Sequence, residues 1–543
     1  MPPRHPRWFP LLPAALAPLL ASAPAPAAAE GFREALVSVL GEAREVAVLA
    51  GEDEEDAPRL TRVGGSAAFR GAGSNNESQV WVMDPLDGGT FAFRDLGEDP
   101  SSLAAPAPGG GGGGGGGPVV LTRDADDPAA RWRVEWAGEG AVRLRTAGGD
   151  GGGGLLTPGG DRATLTPAAD AGGEARLLVK RLVSVGSPTI TRTPDGTLYA
   201  YFYRRGKVPG RENVGEFHRS VDNGATWELR SELPPFYGPS LFVHGGVPSL
   251  IYGHHAELQL RQTRDGGATW ETHTFATLDG ESIESGGGGP VLVARGHLHF
   301  GFMDKSGGRK RGWPGLYRLR VASAPVDADL TDPASWTVSE PIAFPEDPAR
   351  RGTRGGWLEP NLVEGPDGRV WLVARVDHLT EGNVAAVLKL SDDRTRIEFE
   401  NRHPAPGDQT GFIDAAWAGS SNFYIEKDPL RGFYWVMCNP HWTTPPAAER
   451  HRYVRNRLSL YATRDLKNYV KVEDLVEDDL FDDPVVSTWM TGFQQPSFVL
   501  DGGVMHYVLR TGYGTFDNYH DANLITYHRV DALPEVDFDA PAD

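Results

Sequence analysis

A single cysteine, Cys438, stands in this 543-residue chain, so no disulfide can form within it. It follows the apolar run Phe433 to Met437 and reads as core rather than nucleophile. Basic residues are scarce, 53 Lys and Arg against 73 Asp and Glu, for a net charge of −20. No basic stripe remains to neutralise phosphates, which excludes nucleic acid as the expected partner. No apolar run is long enough to cross a bilayer as a helix. The histidines His254-His255, His441, His506, His520 and His528 lack metal-ligand spacing, and no metal or cofactor is expected. Amphipathic helical periodicity is missing as well.

What the chain has in plenty is turn residues, 69 Gly and 43 Pro, as in an all-β protein. At the start, Arg4 and Arg7 precede a short apolar stretch, Trp8 to Leu20, and Ala27-Ala28-Ala29 precede Glu30. This reads as an export signal over residues 1–29, cleaved near Ala29. The protein is therefore expected to be exported, periplasmic or extracellular, with no transmembrane segment.

Two stretches repeat one another. Ser220-Val221-Asp222-Asn223-Gly224-Ala225-Thr226-Trp227 and Thr263-Arg264-Asp265-Gly266-Gly267-Ala268-Thr269-Trp270 share the pattern [ST]-x-D-x-G-x-T-W, with aspartates 43 residues apart. The Asp can accept bonds from its own turn, the Gly permits positive φ, and the Trp drops into an apolar layer. Such a period predicts a stacked or radial array. From about residue 183 a unit recurs: apolar strand, glycine turn, aromatic-rich strand. It appears six times, with turn glycines Gly196, Gly246, Gly296, Gly368, Gly432 and Gly503. Six units predict a six-bladed β-propeller over 183–535. Residues 43–180 follow another rhythm. Gln79-Val80-Trp81, Arg131-Trp132-Arg133 and Arg176-Leu177-Leu178 open three segments spaced by 51 and 45 residues, the first enlarged by a glycine run, Gly109 to Gly117.

A propeller gathers its site on the axis. Seven residues past each turn glycine lie Tyr203, Gly253, Met303, Arg375, Asn439 and Arg510, with His254, Asp304 and Tyr513 just beyond. At the mouth of the inner strands lie Ser187, Pro239, Gly289, Glu359, Asn422 and Gln495. Arg375 and Arg510 are the cations of one ring and Glu359 the carboxylate of the other. Guanidinium groups grip carboxylates bidentately, which points to an anionic ligand. The plainer alternative is an internal pair of Arg375 with Glu359 or Asp377.

The repeated turns resemble the Asp boxes of the sialidase superfamily, and residues 43–180 resemble a β-trefoil of the ricin-B lectin type. Glu359-Pro360-Asn361-Leu362-Val363-Glu364-Gly365-Pro366-Asp367-Gly368, followed by Arg375, resembles the sialidase segment E-x-x-x-V-E-x-x-D-G that ends in an Arg. Ala418 to Trp435, Gly492-Phe493-Gln494, Arg510-Thr511 and His520 to Val530 are similar to exported bacterial sialidase-like proteins. The resemblance implies that Glu359 is the base for a tyrosine nucleophile and that Arg375 holds the substrate carboxylate. The family's leading Arg is replaced here by Gly186. No Asp stands between Phe202 and Ser220, only Glu212 and Glu216. Some propeller lyases acting on uronic acids use His and Tyr with an Arg, which His254, Tyr203, Arg375 and Arg510 could supply.

The expectation is a β-trefoil-like domain followed by a six-bladed propeller. The expected function is a glycoside hydrolase of exo-alpha-sialidase type, acting on a terminal acidic sugar of a glycan. The catalytic candidates are Glu359, Tyr203, Glu212 and Tyr513. The substrate-binding candidates are Arg375, Arg510, His254, Asn439, Asp304 and Gln495. A lyase acting next to uronic acids and a non-catalytic glycan-binding propeller are the alternatives.

Overall fold

The computed structural model describes the chain between residues 35 and 539. Outside its description lie residues 1–34 and 540–543, together with 43–44, 51–58, 64–65, 71–80, 87–89, 96–101, 105–116, 119, 123–127, 139–140, 148–154, 160–161, 167–176, 207–212, 279–282, 286–288, 307–314, 345–355, 378–383, 400–411, 415–420, 441–453 and 515–519. The expected export signal falls there, as does the glycine run except Gly117. Among the described residues no helix is long and apolar enough to cross a membrane.

Nearly every described element is a strand. Six antiparallel sheets follow one another as propeller blades. Blade one is Val183–Arg192, Leu198–Gly206, Val214–Ser220 and Glu228–Leu233. The innermost strands of the next five blades are Ser240–His244, the split pair Ile283–Ser285 and Leu292–Ala294, Gly356–Glu364, Tyr424–Lys427 and Gly492–Asp501. Each blade contacts the next near the axis, and blade six contacts blade one, so the ring is closed.

Closure rests on a strand pairing that the sequence reading missed. The outermost strand of blade six is Ser38–Glu42, which pairs antiparallel with Leu524–Val530. The propeller therefore extends beyond 183–535. The chain ends of the ring are clasped by backbone hydrogen bonds rather than left as free edges.

Innermost strands expose one unpaired edge to the axis, and short polar side chains satisfy it. Thr189 Oγ1 accepts from Leu241 N at 3.2 Å, and Ser240 Oγ donates to Gly289 O at 2.5 Å. Asn361 Nδ2 donates to Phe423 O at 3.0 Å while its Oδ1 accepts from Ile425 N at 3.2 Å. Asn439 Nδ2 donates to Phe493 O at 2.7 Å, and Ser497 Oγ accepts from Ile190 N at 3.3 Å. These bonds join blades one to two, two to three, four to five, five to six and six to one.

The repeated turns connect the third and fourth strands of blades one and two. Asp222 accepts from Thr226 N at 2.9 Å and Thr226 Oγ1 at 2.6 Å, and Asp265 does the same with Thr269 at 2.9 and 2.6 Å. Trp270 packs edge-on against Phe217 of the preceding blade at 4.7 Å. The turns seal blade edges, far from the axis.

Between Glu42 and Val183 lies a second β unit. Six of its strands close on themselves: Glu45–Ala50 pairs Trp81–Pro85, which pairs Thr90–Asp95, then Trp132–Gly138, then Ala141–Thr146, then Leu177–Arg181, which returns to Glu45–Ala50. Three two-stranded hairpins, Arg59–Val63 with Ser66–Arg70, Ser102–Ala104 with Val120–Thr122, and Leu155–Gly159 with Arg162–Thr166, and the short strand Gly117–Pro118 beside Arg162–Thr166, complete it. Trp81 and Trp132 are fully buried, and their indoles donate to Leu60 O at 3.0 Å and Leu103 O at 2.8 Å. Each is followed at the same offsets by an ion pair, Arg94 with Asp84 and Arg145 with Glu135. The entering and leaving strands of this unit are neighbours, so it is tethered by two adjacent strands. Its core is continuous with that of blades five and six. Phe91 stacks on Phe481 at 6.3 Å, and a Cβ on Gly514 would lie 2.8 Å from the Phe91 ring.

Candidate functional site

Three blades break their innermost strand at the same place. The register slips between Gly186 and Thr189, between Leu358 and Pro360, and between Gln494 and Ser497. At each slip a residue with positive φ precedes a proline: Ser187 at 47°, Glu359 at 48° and Gln495 at 46°. Such a backbone is disfavoured twice, by the Cβ at positive φ and by the proline ring that follows. Bulges of this kind re-aim side chains and cluster at functional sites.

Across the sheet from the residue before each bulge stands a second-strand residue: Tyr203 opposite Gly186, Arg375 opposite Leu358, Arg510 opposite Gln494. These three positions are equivalent in the fold and lie at one end of the axis. The ring is physically linked. Glu359 N approaches Met303 Sδ at 3.3 Å, and Gln495 Oε1 accepts from Ser187 N at 3.0 Å.

The charges are partly committed. Arg375 Nη1 donates to Glu359 Oε2 at 2.8 Å, with both side chains mostly buried. The internal pair considered from sequence is thus formed. Arg510 is held more loosely, with Nη2 at 3.5 Å from Asp521 Oδ1. It is 4% exposed, and its Nε is buried without a hydrogen-bond partner among the described residues. Tyr203 and Arg510 flank Gly186: a Cβ there would lie 2.9 Å from the Tyr203 hydroxyl and 3.3 Å from Arg510 Nε. Glycine at this point is what lets the phenol and the guanidinium approach one another. Tyr203 is braced edge-on by Tyr237 at 4.8 Å.

Two groups escaped the sequence reading. Arg455 is buried; its guanidinium donates to Gln494 Oε1, and its carbonyl accepts from Phe493 N at 2.7 Å. It precedes the third strand of blade five, and only second strands were compared. His520 was considered only as a metal ligand. The Arg510 guanidinium pushes its imidazole down to about 4, against the opposing bond to Asp521 at 3.1 Å. Asp521 is held below the usual carboxylate range, first by that His520 bond. His520 is therefore neutral at pH 7.

Other candidates stand elsewhere. Tyr513 is buried in the core shared with the N-terminal unit, and its hydroxyl donates to Asp479 Oδ1 at 2.7 Å, so it is not aimed at the axis. Asp304 is 1% exposed and ion-paired to Arg320, which removes it as a ligand group. Asn439 serves as a stitch to blade six and Gln495 as one to blade one. His254 is exposed, with its ring against His255 at 4.4 Å, and among the described residues it makes no hydrogen bond to the charged groups above. Glu212 lies outside the described residues. Glu216 is paired to Arg204 at 2.8 Å and His218 at 3.1 Å within blade one. Cys438 is fully buried, and burial raises its thiol well above the ordinary value. No group of three His, Cys, Asp or Glu is placed to hold a metal among the described residues.

No family model matches the chain, and no curated protein does. Among solved structures it is similar to an alpha-L-arabinofuranosidase of Fusarium graminearum bound to an iminosugar inhibitor. That match has 12% identity and a TM-score of 0.42, over 64% of this chain and 93% of the other. It is also similar to a Trypanosoma rangeli sialidase at 16% identity and a TM-score of 0.43, over 66% of this chain and 56% of that one. A Dyadobacter fermentans protein of unknown function matches at 14% identity and a TM-score of 0.38, over 64% and 94%.

Proposed function

We propose that this is an exported carbohydrate-active enzyme of sialidase-like propeller type, a glycoside hydrolase acting on a terminal acidic sugar. The observation that carries the reading is the buried, loosely paired Arg510 at the end of the axis where the Glu359 bulge also opens. Arg510 grips the sugar carboxylate. Glu359, aimed by its bulge and oriented by Arg375, takes the proton of the nucleophile that attacks the anomeric carbon. Glu212 is the acid/base of this proposal. Arg375 thus acts on Glu359 rather than directly on substrate. The N-terminal unit is proposed to be a β-trefoil, a reading supported by the six-strand closure, its three hairpins and the matched Trp81 and Trp132.

One observation favours a second reading. A neutral His520 beside Arg510, with the Tyr203 hydroxyl near the same guanidinium, suits proton abstraction next to a uronic-acid carboxylate. The test is a screen of sialosides, uronic-acid polysaccharides and their neutral counterparts, read for reducing sugar and for absorbance near the ultraviolet edge. Reducing sugar alone from carboxylated substrates is expected. New absorbance would transfer the assignment to the lyase, and equal turnover of neutral substrates would overturn both.

A further inference from the structure

The other end of the axis holds a second site. Past the bulges, the inner strands of all six blades run on to enclose a cavity of about 580 Å³. Its lining mixes part-exposed apolar side chains, Val243, Val291, Leu292, Val293 and Val499, with charged ones. The volume lies in the range of small-molecule sites, which are mostly apolar with a few convergent polar groups.

The polar groups here are unequal. Arg192 is paired to Asp501 at 2.9 Å and Lys427 to Glu364 at 2.7 Å. Asp428 accepts from Trp435 Nε1 at 2.9 Å and from Arg431. Glu426 also lines the cavity, and among the described residues its carboxylate has neither an ion-pair nor a hydrogen-bond partner. Burial, with Asp428 adding repulsion, pushes its carboxyl up to about 8.

We propose that this well binds a small organic ammonium ion with an apolar body, seated against the Glu426 carboxylate. An anion finds only cations that are already paired. A metal ion finds no third ligand among the described residues. A purely apolar guest would leave the carboxyl unpaired. An ammonium group on a hydrocarbon body satisfies both the walls and the acid. No bond is made or broken in this binding. Glu426 gives its proton to solvent as the ammonium ion takes its place, because a nearby cation favours the ionised carboxylate. The site is independent of the proposed enzyme reaction.

The test uses the full chain and benzylamine as probe, by titration calorimetry at pH 7 in two buffers of different ionisation enthalpy. Saturable one-to-one binding with net proton release is expected. Benzyl alcohol should bind about tenfold more weakly or worse, as should benzylamine to Glu426→Gln, which should release no proton. Val499→Trp, which fills the well from another blade, should also lose the probe, whatever the folding of Glu426→Gln. Undetectable heat, binding unchanged in either variant, or binding without proton release would overturn the proposal.

Discussion

Blades one, four and six differ from blades two, three and five in the strand nearest the axis. In the first set it is long, 10, 9 and 10 residues, and broken by a bulge before a proline. In the second it is 5 residues, two fragments of 3, or 4, with no register slip among the described residues. The first set carries Tyr203, Glu359, Arg375, Arg510 and Gln495. The second carries structural pairs such as Asp304 with Arg320, while stitches such as Thr189, Ser240, Asn361 and Asn439 occur in both. A ring of similar blades has thus specialised half its members. The inner strands of the specialised half hold three residues at strained backbone, each at a cost of about 1–3 kcal/mol.

The contrast can be broken most sharply at Glu359. Glu359→Gln should lower turnover of a carboxylated substrate by about two to four orders of magnitude, and should also lower the melting temperature, because it leaves the buried Arg375 without its counter-charge. Full activity would remove blade four from the chemistry. Arg510→Met should weaken binding of a carboxylated sugar by about ten- to a hundredfold, while a neutral analogue is unaffected. The same substitution should let the His520 imidazole rise from about 4 toward its ordinary value, followed by NMR titration. An unmoved His520 would show that the two do not share a field. With Arg510 in place, His520 stays neutral from pH 8 down to about 5. Its titration should then affect anion binding only below that window.

Gly186→Ala tests the close approach in blade one. A Cβ at 2.9 Å from the Tyr203 hydroxyl forces the ring or Arg510 to move, so a loss of about 1–3 kcal/mol in denaturant unfolding is expected, together with weaker anion binding. The smallest effect compares the two sets directly. Ser187→Gly removes a Cβ from positive φ and should be neutral or stabilising by up to about 1 kcal/mol. Ser240→Gly, in a blade whose inner strand has no bulge, loses its bond to Gly289 and should cost about 1 kcal/mol or more. Equal effects in calorimetric melting would mean that the bulges store no strain.

Much of this was legible in the chain. In a hairpin with a short turn, pairing across two strands is fixed by counting from the turn. The seven-residue offset from each turn glycine therefore lines up Tyr203, Arg375 and Arg510 from the sequence alone. The Glu359–Arg375 alternative was visible for the same reason. Other features were not. Ser38–Glu42 carries no local sign that its partner is Leu524–Val530. Arg455 sits outside the strand frame that was compared. Tyr513 was chosen for its spacing from Arg510, but past Gly512 the strand has ended and the chain turns the phenol to Asp479. Asp304 had the right place in its blade. Arg320, two strands' length along the chain, had already claimed it.

The strand Ser38–Glu42 also sets a timetable. During synthesis it leaves the ribosome almost the whole chain ahead of Leu524–Val530, a delay of about half a minute or more at ordinary elongation rates. For that interval its hydrogen-bonding groups have no native partner, while the blades between them accumulate in order. The intervening β unit, whose own first and last strands pair with each other, can form its strand pairings early, but its core is completed only when blades five and six arrive. Final locking of the ring is then a single late event of very high sequence separation, the kind that slows folding most. Any cell that makes this protein must keep one short strand unoccupied until the last blade arrives.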